Sequence, residues 1–217
     1  MDAKEERLIH ELEAEREWRV NELRNIKLLY KAIDSEWGRE EYSTSYLKMV
    51  IPMIYAHWEG YVVQSYKIIF EFINRLELSS SEVTPKILTY ANNQGYDYLK
   101  GKHSFSQKCE FTRRFLGILN KNIRIQGKIE TNSNLKFEVL ERLLDLFDID
   151  ISGFLRFKSK LNELVNIRNS IAHGENGYNI TFEDAENHIE FITELIDELL
   201  VEEVKFVGEK RFKVTNL

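Results

Sequence analysis

Residues 164–175 read Leu-Val-Asn-Ile-Arg-Asn-Ser-Ile-Ala-His-Gly-Glu, and polar residues of particular types interrupt an apolar helical period there. Histidine changes charge near neutral pH and so can act as a base or an acid, whereas arginine stays charged and can grip two anionic oxygens with its planar fork. His173 and Arg168 are the candidate catalytic pair, with Asn169 supporting them by orienting the imidazole or by hydrogen-bonding an anion. A plainer reading is a helix C-terminus, in which His173 meets the negative end of the helix dipole and Gly174 takes the left-handed terminating conformation. That reading does not account for an Arg and an Asn set between apolar positions Leu164, Val165 and Ile171, where a buried charge is costly unless paired. At about 100° per residue, Asn169 and His173 share one face, whereas Arg168 and His173 diverge by about 140°. One helix aims both at one atom poorly; two copies meeting across a two-fold axis can bring an Arg and a His into one groove.

Other chemistries lack their signatures. There is no G-x-x-x-x-G-K or G-x-G-x-x-G phosphate loop, the five histidines at 10, 57, 103, 173 and 188 form no H-x-x-x-H pair, and Cys109 is alone. No metal site and no cofactor are therefore expected. Glu59 stands in an otherwise apolar stretch and is a candidate partner for Arg168 or His173; a structural ion pair or simple exposure are its other readings. Trp58 and Tyr61 read as core aromatics, and His57 as a satisfied histidine at the core edge. One basic stretch spans 108–128, where Lys108, Arg113, Arg114, Lys121, Arg124 and Lys128 face only Glu110. A phosphate backbone could lie there, on a chain whose net charge of −6 otherwise argues against bulk attraction of nucleic acid.

The elements that must position these residues are helices. With 2 Pro and 10 Gly in 217 residues, few positions interrupt regular structure, and 43% apolar with 30% charged composition excludes general disorder. The expectation is a single all-α domain over 1–217. Residues 1–41, with 12 acidic and 8 basic side chains, predict a long amphipathic N-terminal helix. A helical core is expected over 42–204. Within it, 42–78 is apolar on more than one face and predicts a central helix that Pro52 either kinks or splits after Val50, the kink being favoured. Thr84-Pro85 and the capping boxes Ser104/Gln107 and Thr181/Asp184 mark three further starts. Residues 92–103 read as a loop, 123–129 as a small hairpin or an ordered loop, and 205–217 as a tail or terminal β-hairpin around Gly208. The last helix carries nine acidic residues over 181–204 and no Lys or Arg, which reads as a solubilising face or a contact for a basic partner. No apolar run reaches the roughly 20 residues of a membrane helix. The acidic N-terminus carries no export signal and the lone cysteine fits a reducing compartment, so a cytoplasmic protein without membrane contact is expected.

Arg168-Asn169-Ser170-Ile171-Ala172-His173 resembles the R-x4-6-H signature of the HEPN superfamily of helical ribonuclease and toxin domains. Ala56-His57-Trp58-Glu59-Gly60-Tyr61 and Thr131-Asn132-Ser133-Asn134-Leu135 extend the resemblance, which is to the MAE-type or RiboL-PSP-type branch between about residues 50 and 200; the first forty residues and the C-terminal tail fall outside it. It implies a HEPN-like bundle acting as a homodimer, with paired motifs at the interface and RNA as substrate. Metal-independent cleavage would use His173 for proton transfer and Arg168 for the developing phosphorane charge, leaving a 2′,3′-cyclic phosphate. It also implies a toxin or antiviral-defence setting, with an antitoxin or defence-system protein as partner. The alternative is a noncatalytic HEPN module that dimerises and binds RNA, a nucleotide or a protein.

Overall fold

Scarce Pro and Gly are realised as long helices. The computed structural model describes residues 2–37, 40–92, 104–126, 129–175 and 177–214, and contains among them seven α-helices and one 3₁₀-helix. In chain order the helices are α1 (Ala3–Trp37), α2 (Glu40–Arg75), α3 (Pro85–Ala91), α4 (Phe105–Leu119), α5 (Phe137–Leu146), α6 (Lys158–Ala172) and α7 (Phe182–Gly208), with the 3₁₀-helix Ile151–Phe157 leading into α6. No helix among the described residues is long and apolar enough to cross a membrane.

α2 is the axle. Ile54, Trp58, Tyr61, Val62, Tyr66, Ile69, Phe70 and Ile73 are fully buried around it, and α1, α6 and α7 all pack against it. It runs through Pro52 as one helix, so the alternative of a second helix after Val50 fails. Proline costs roughly 3 kcal/mol in a helix interior, whereas each buried large apolar side chain contributes about 1.5–3 kcal/mol, so the flanking turns hold the helix together. A stack of Tyr66, Phe147 and Phe206, with centroid separations of 4.2 and 4.5 Å, ties α2 to the end of α5 and to α7.

α1 belongs to this core along its length: Leu8, Leu12, Leu23 and Ile26 are all buried. It runs antiparallel to α7, as successive pairs show: Arg16 to Asp197 at 2.7 Å, Lys27 to Glu186, and Tyr30 stacked on Phe182 at 4.1 Å. The acidic side chains of α7 are consequently not a bare solvated face. Asp197 and Glu186 hold α1, Glu194 and Glu198 hold Arg156, and Glu203 points inward with no exposure.

The capping expectations at Thr84, Ser104 and Thr181 hold, each side chain accepting from a backbone N–H of its first turn. One expectation is corrected. α7 does not stop near Val204 and fold back as a hairpin: it continues to Gly208, Lys210 takes the left-handed conformation at φ 52°, and the tail pairs with residues far away in sequence. Thr84 N donates to Phe212 O and Val214 N to Glu82 O, both at 3.0 Å. Residues 123–125 form an ordered extended loop, one of the two alternatives expected over 123–129. Ile123 N donates to Leu78 O, and the Asn74 amide clamps Ile125 by donating to its carbonyl and accepting from its N–H. The loop expected over 92–103 lies, from residue 93 on, outside the described residues.

Candidate functional site

α6 buries Leu161, Leu164 and Val165 against the core and turns Asn162, Asn166 and His173 outward. Its end is a double backbone clamp. Glu175 N donates to Ser170 O at 2.9 Å and Gly174 N to Ile171 O at 3.0 Å, with Gly174 at φ +75°, which satisfies terminal carbonyls and leaves His173 as the capping residue. The helix-end reading and the polar-cluster reading are therefore both physically present at one place.

The half-buried Arg168 is braced on three sides. Its guanidinium carbon stands 4.7 Å from the Tyr55 ring centroid, and Nη1 donates to Asn169 Oδ1 at 2.9 Å and to Ser133 O at 3.3 Å. A cation over an aromatic face keeps its charge without a carboxylate, which answers the cost of placing an Arg between core positions. Asn169 Nδ2 in turn donates to Asn134 Oδ1 at 3.2 Å, and the Tyr55 hydroxyl accepts from Leu135 N at 2.7 Å. Residues 131–134 make a tight turn in which Asn132 and Ser133 both have φ near +50° and Asn134 N donates to Thr131 O. That combination is a type I′ turn, and a serine at positive φ is strained, so the contacts to Tyr55, Arg168 and Asn169 help hold it. Segments 131–135 and 164–175 thus meet directly, and α2 joins them through Tyr55, the residue just before the 56–61 segment.

His173 is exposed, and no side chain among the described residues hydrogen-bonds its ring. Arg168 faces Tyr55 while His173 faces outward, the divergence expected from their five-residue offset. A groove of about 710 Å³ lies along the N-terminal part of α6, lined in part by Asn162, Asn166, Lys158 and Tyr178 and not by Arg168 or His173.

Glu59 lies one turn beyond Tyr55 on α2 and forms no ion pair with Arg168 or His173 within the chain. It acts on Tyr55, whose hydroxyl is pushed well above its ordinary range first by burial and then by the nearby carboxylate. Glu59 Oε1 is buried without a hydrogen-bond partner among the described residues. His57 is buried at the core edge, 3.6 Å from Glu22 and edge-on to Trp18, and burial lowers its pKa.

The basic stretch is elsewhere. Arg113 and Arg114 both pair with Glu110, at 2.5 and 2.9 Å, Lys121 is exposed, and Arg124 reaches Asn74 O at the far end of α2. Tyr55 and Asn74 are nineteen residues apart on one helix, about 28 Å at 1.5 Å per residue. Lys128 lies outside the described residues. One participant was hidden in the sequence: Tyr55, an aromatic at helical spacing that reads as core, and whose position one turn before Glu59 was the available signal.

The family model described as RiboL-PSP-HEPN matches residues 14–201. The match takes in most of α1, beyond the part for which the motifs alone carry a resemblance. No curated protein and no solved structure matches the chain.

Proposed function

The chain belongs to the HEPN superfamily, in its RiboL-PSP branch, and from that membership we propose that it is a metal-independent endoribonuclease acting as a homodimer in a toxin or antiviral-defence role. Arg168 binds the scissile phosphate and stabilises the added negative charge of the phosphorane. His173 of one protomer removes the 2′-hydroxyl proton or protonates the departing 5′-oxygen, and Asn169 keeps Arg168 oriented through its Oδ1. The products are a 2′,3′-cyclic phosphate and a 5′-hydroxyl, so DNA is not cut.

The observation that carries this reading is the contrast within one helix end: a cation braced on Tyr55, Asn169 and Ser133, beside an imidazole with no hydrogen-bond partner among the described residues. A braced charge that does not reorganise during reaction is what electrostatic stabilisation of a transition state requires. HEPN domains commonly dimerise, and two features favour a second copy here. Arg168 and His173 diverge, and the face of α2 next to Glu59 exposes Met49 (62%), Met53 (44%) and Ala56. A large apolar side chain at such exposure gains from burial against another protomer.

The test is cleavage of a panel of end-labelled single-stranded and hairpin RNAs in EDTA, with product ends identified and His173→Ala run in parallel. Cleavage leaving cyclic phosphate, reduced about 10²–10⁴-fold in the variant, is the expected result. Cleavage only with added divalent metal, or undiminished in His173→Ala, overturns it.

A further inference from the structure

α4 is a fifteen-residue amphipathic helix with no buried residue. Its anchors to the body among the described residues lie at and beyond its C-terminal end, where Ser80 Oγ donates to Ile118 O at 3.0 Å and to Lys121 O at 3.2 Å and Ser79 bridges Asn122. Phe105, Cys109, Thr112, Leu116 and Leu119 are spaced four, three, four and three apart, which is the alternating spacing of a heptad seam, and all five are exposed. Phe105 is 83% exposed, Leu116 55% and Leu119 38%. Leaving large apolar side chains in water at core spacing has no role in the fold of this chain. It is the pattern of a helix that lays its seam on another helix.

The flanking residues select the occupant. With Cys109 and Leu116 at the a positions and Phe105, Thr112 and Leu119 at d, Lys108 takes a g position and Arg113 the following e position. In a parallel pair of two copies, g meets e′ five residues on, so Lys108 would face Arg113 of the partner protomer. In an antiparallel pair, e meets e′ and g meets g′, again cation to cation. Like charges across such a seam oppose self-pairing. Glu110 is the single carboxylate on α4, and it is shared between Arg113 and Arg114. An incoming acidic helix would find the exposed Lys108 at the rim, and Arg113 with only a carboxylate shared with Arg114, on the one basic stretch of an acidic chain.

We propose that the exposed seam of α4, Phe105 to Leu119, is a docking surface for an acidic amphipathic helix of a partner protein. The surface is separate from the Arg168–His173 site: α4 is anchored at Ser79 and Ser80, beyond the C-terminal end of α2, whereas Arg168 is held at Tyr55, so occupancy does not require the cleavage chemistry to be correct.

The experiment titrates the full chain into two fluorescent synthetic helical peptides with Leu at a and d, one carrying Glu at e and g and the other Lys. Expected are binding of the Glu peptide at least about tenfold tighter than the Lys peptide, weakening with salt, and loss of binding in Leu116→Asp. The double variant Lys108→Glu/Arg113→Glu should reverse the preference. All these positions are exposed, so thermal unfolding of the variants should match the parent and separate lost docking from lost fold. Equal binding of the two peptides, or binding of neither up to about 1 mM, overturns the proposal. So does a Cys109–Cys109 disulfide dimer that forms on oxidation and disappears in Leu116→Asp, since the occupant is then a second copy. Binding of oligouridylate that is abolished by the charge reversal but untouched by Leu116→Asp also overturns it, in favour of a phosphate surface.

Discussion

Two polar clusters sit on α2 little more than a turn apart, and they differ in whether they reach water. At Tyr61 and Ser65 the helix meets Glu203 of α7: Tyr61 Oη donates to Oε2 at 3.0 Å and Ser65 Oγ to Oε1 at 2.5 Å, and the carboxyl has no exposure. At Tyr55 it meets Arg168, which donates to Asn169, one helical turn before an exposed His173. The sealed cluster holds a group whose charge is disfavoured by burial, so its pKa rises to about 8 despite the two hydroxyl donors. The open one holds a cation that keeps its charge against an aromatic face. Polar residues in a helical core thus have two outcomes: enclosed, they tie stability to pH; open on one side, they can act on a ligand.

The largest expected effect separates the clusters by activity. Arg168→Ala should lower RNA cleavage by about 10²–10³-fold while shifting the urea midpoint little, since the residue is half-buried and its partners keep access to water. Glu203→Ala should do the reverse, costing about 3 kcal/mol by opening a cavity and orphaning the Tyr61 hydroxyl, with the rate per folded molecule unchanged. Equilibrium unfolding and initial rates on the same preparations check both. A stability loss in Arg168→Ala as large as that of Glu203→Ala would erase the distinction.

The pH dependence sharpens it further. Glu203 binds its proton more tightly folded, at about 8, than unfolded, near 4.5. Its contribution to stability is complete below the lower value and is lost as pH rises toward the upper one, at no more than about 1.4 kcal/mol per pH unit. Glu203→Gln stays neutral and should remove this decline, so the variant gains on the parent between pH 5 and 8 and the gap levels off above. His57 and His188, whose pKa values burial lowers, add an opposite trend, but they do so in both proteins and cancel in the difference. Parallel denaturation curves across that range would show that Glu203 does not titrate there.

The two clusters were unequally legible in the sequence. Capping boxes at Ser104 and Thr181 are local, with every partner within three residues, and they mark α4 and α7 correctly. The Arg168–His173 motif is equally local. By sequence Glu203 is one of nine acidic residues that read as a solubilising face or a contact for a basic partner, because nothing in its neighbourhood distinguishes an inward carboxylate from an outward one; the distinction comes from Ser65, 138 residues earlier. Tyr55 is hidden because it is a core tyrosine, and nothing in its spacing separates a core ring that also carries an arginine from one that only packs. The tail escaped for a similar reason: its pairing with 82–84 is long-range, whereas the hairpin expected there needed only a nearby glycine.

A smaller effect tests how the open cluster is held. Tyr55→Phe keeps the ring under Arg168 but leaves Leu135 N, a buried donor, without its acceptor, a cost of about 1–3 kcal/mol. The strained turn at Asn132 and Ser133 should loosen with it. Cleavage is expected to fall by about tenfold, because Ser133 O then braces Arg168 less firmly. Unchanged cleavage at reduced stability would mean that the ring alone positions the guanidinium.

The smallest effect concerns the helix end itself. A Cβ on Gly174 would meet nothing within 4 Å, so Gly174→Ala introduces no clash and its cost is the left-handed backbone alone, about 1 kcal/mol. Gly174→Asn should cost less, since asparagine tolerates that conformation. Both variants keep the N–H that donates to Ile171 O, so His173 should remain the capping residue and cleavage should change no more than a few-fold. The informative outcome is a mismatch. If Gly174→Ala costs only its backbone strain yet abolishes cleavage, the open space beside Gly174 is where the RNA backbone passes, and the glycine serves close approach of the substrate as well as the end of the helix.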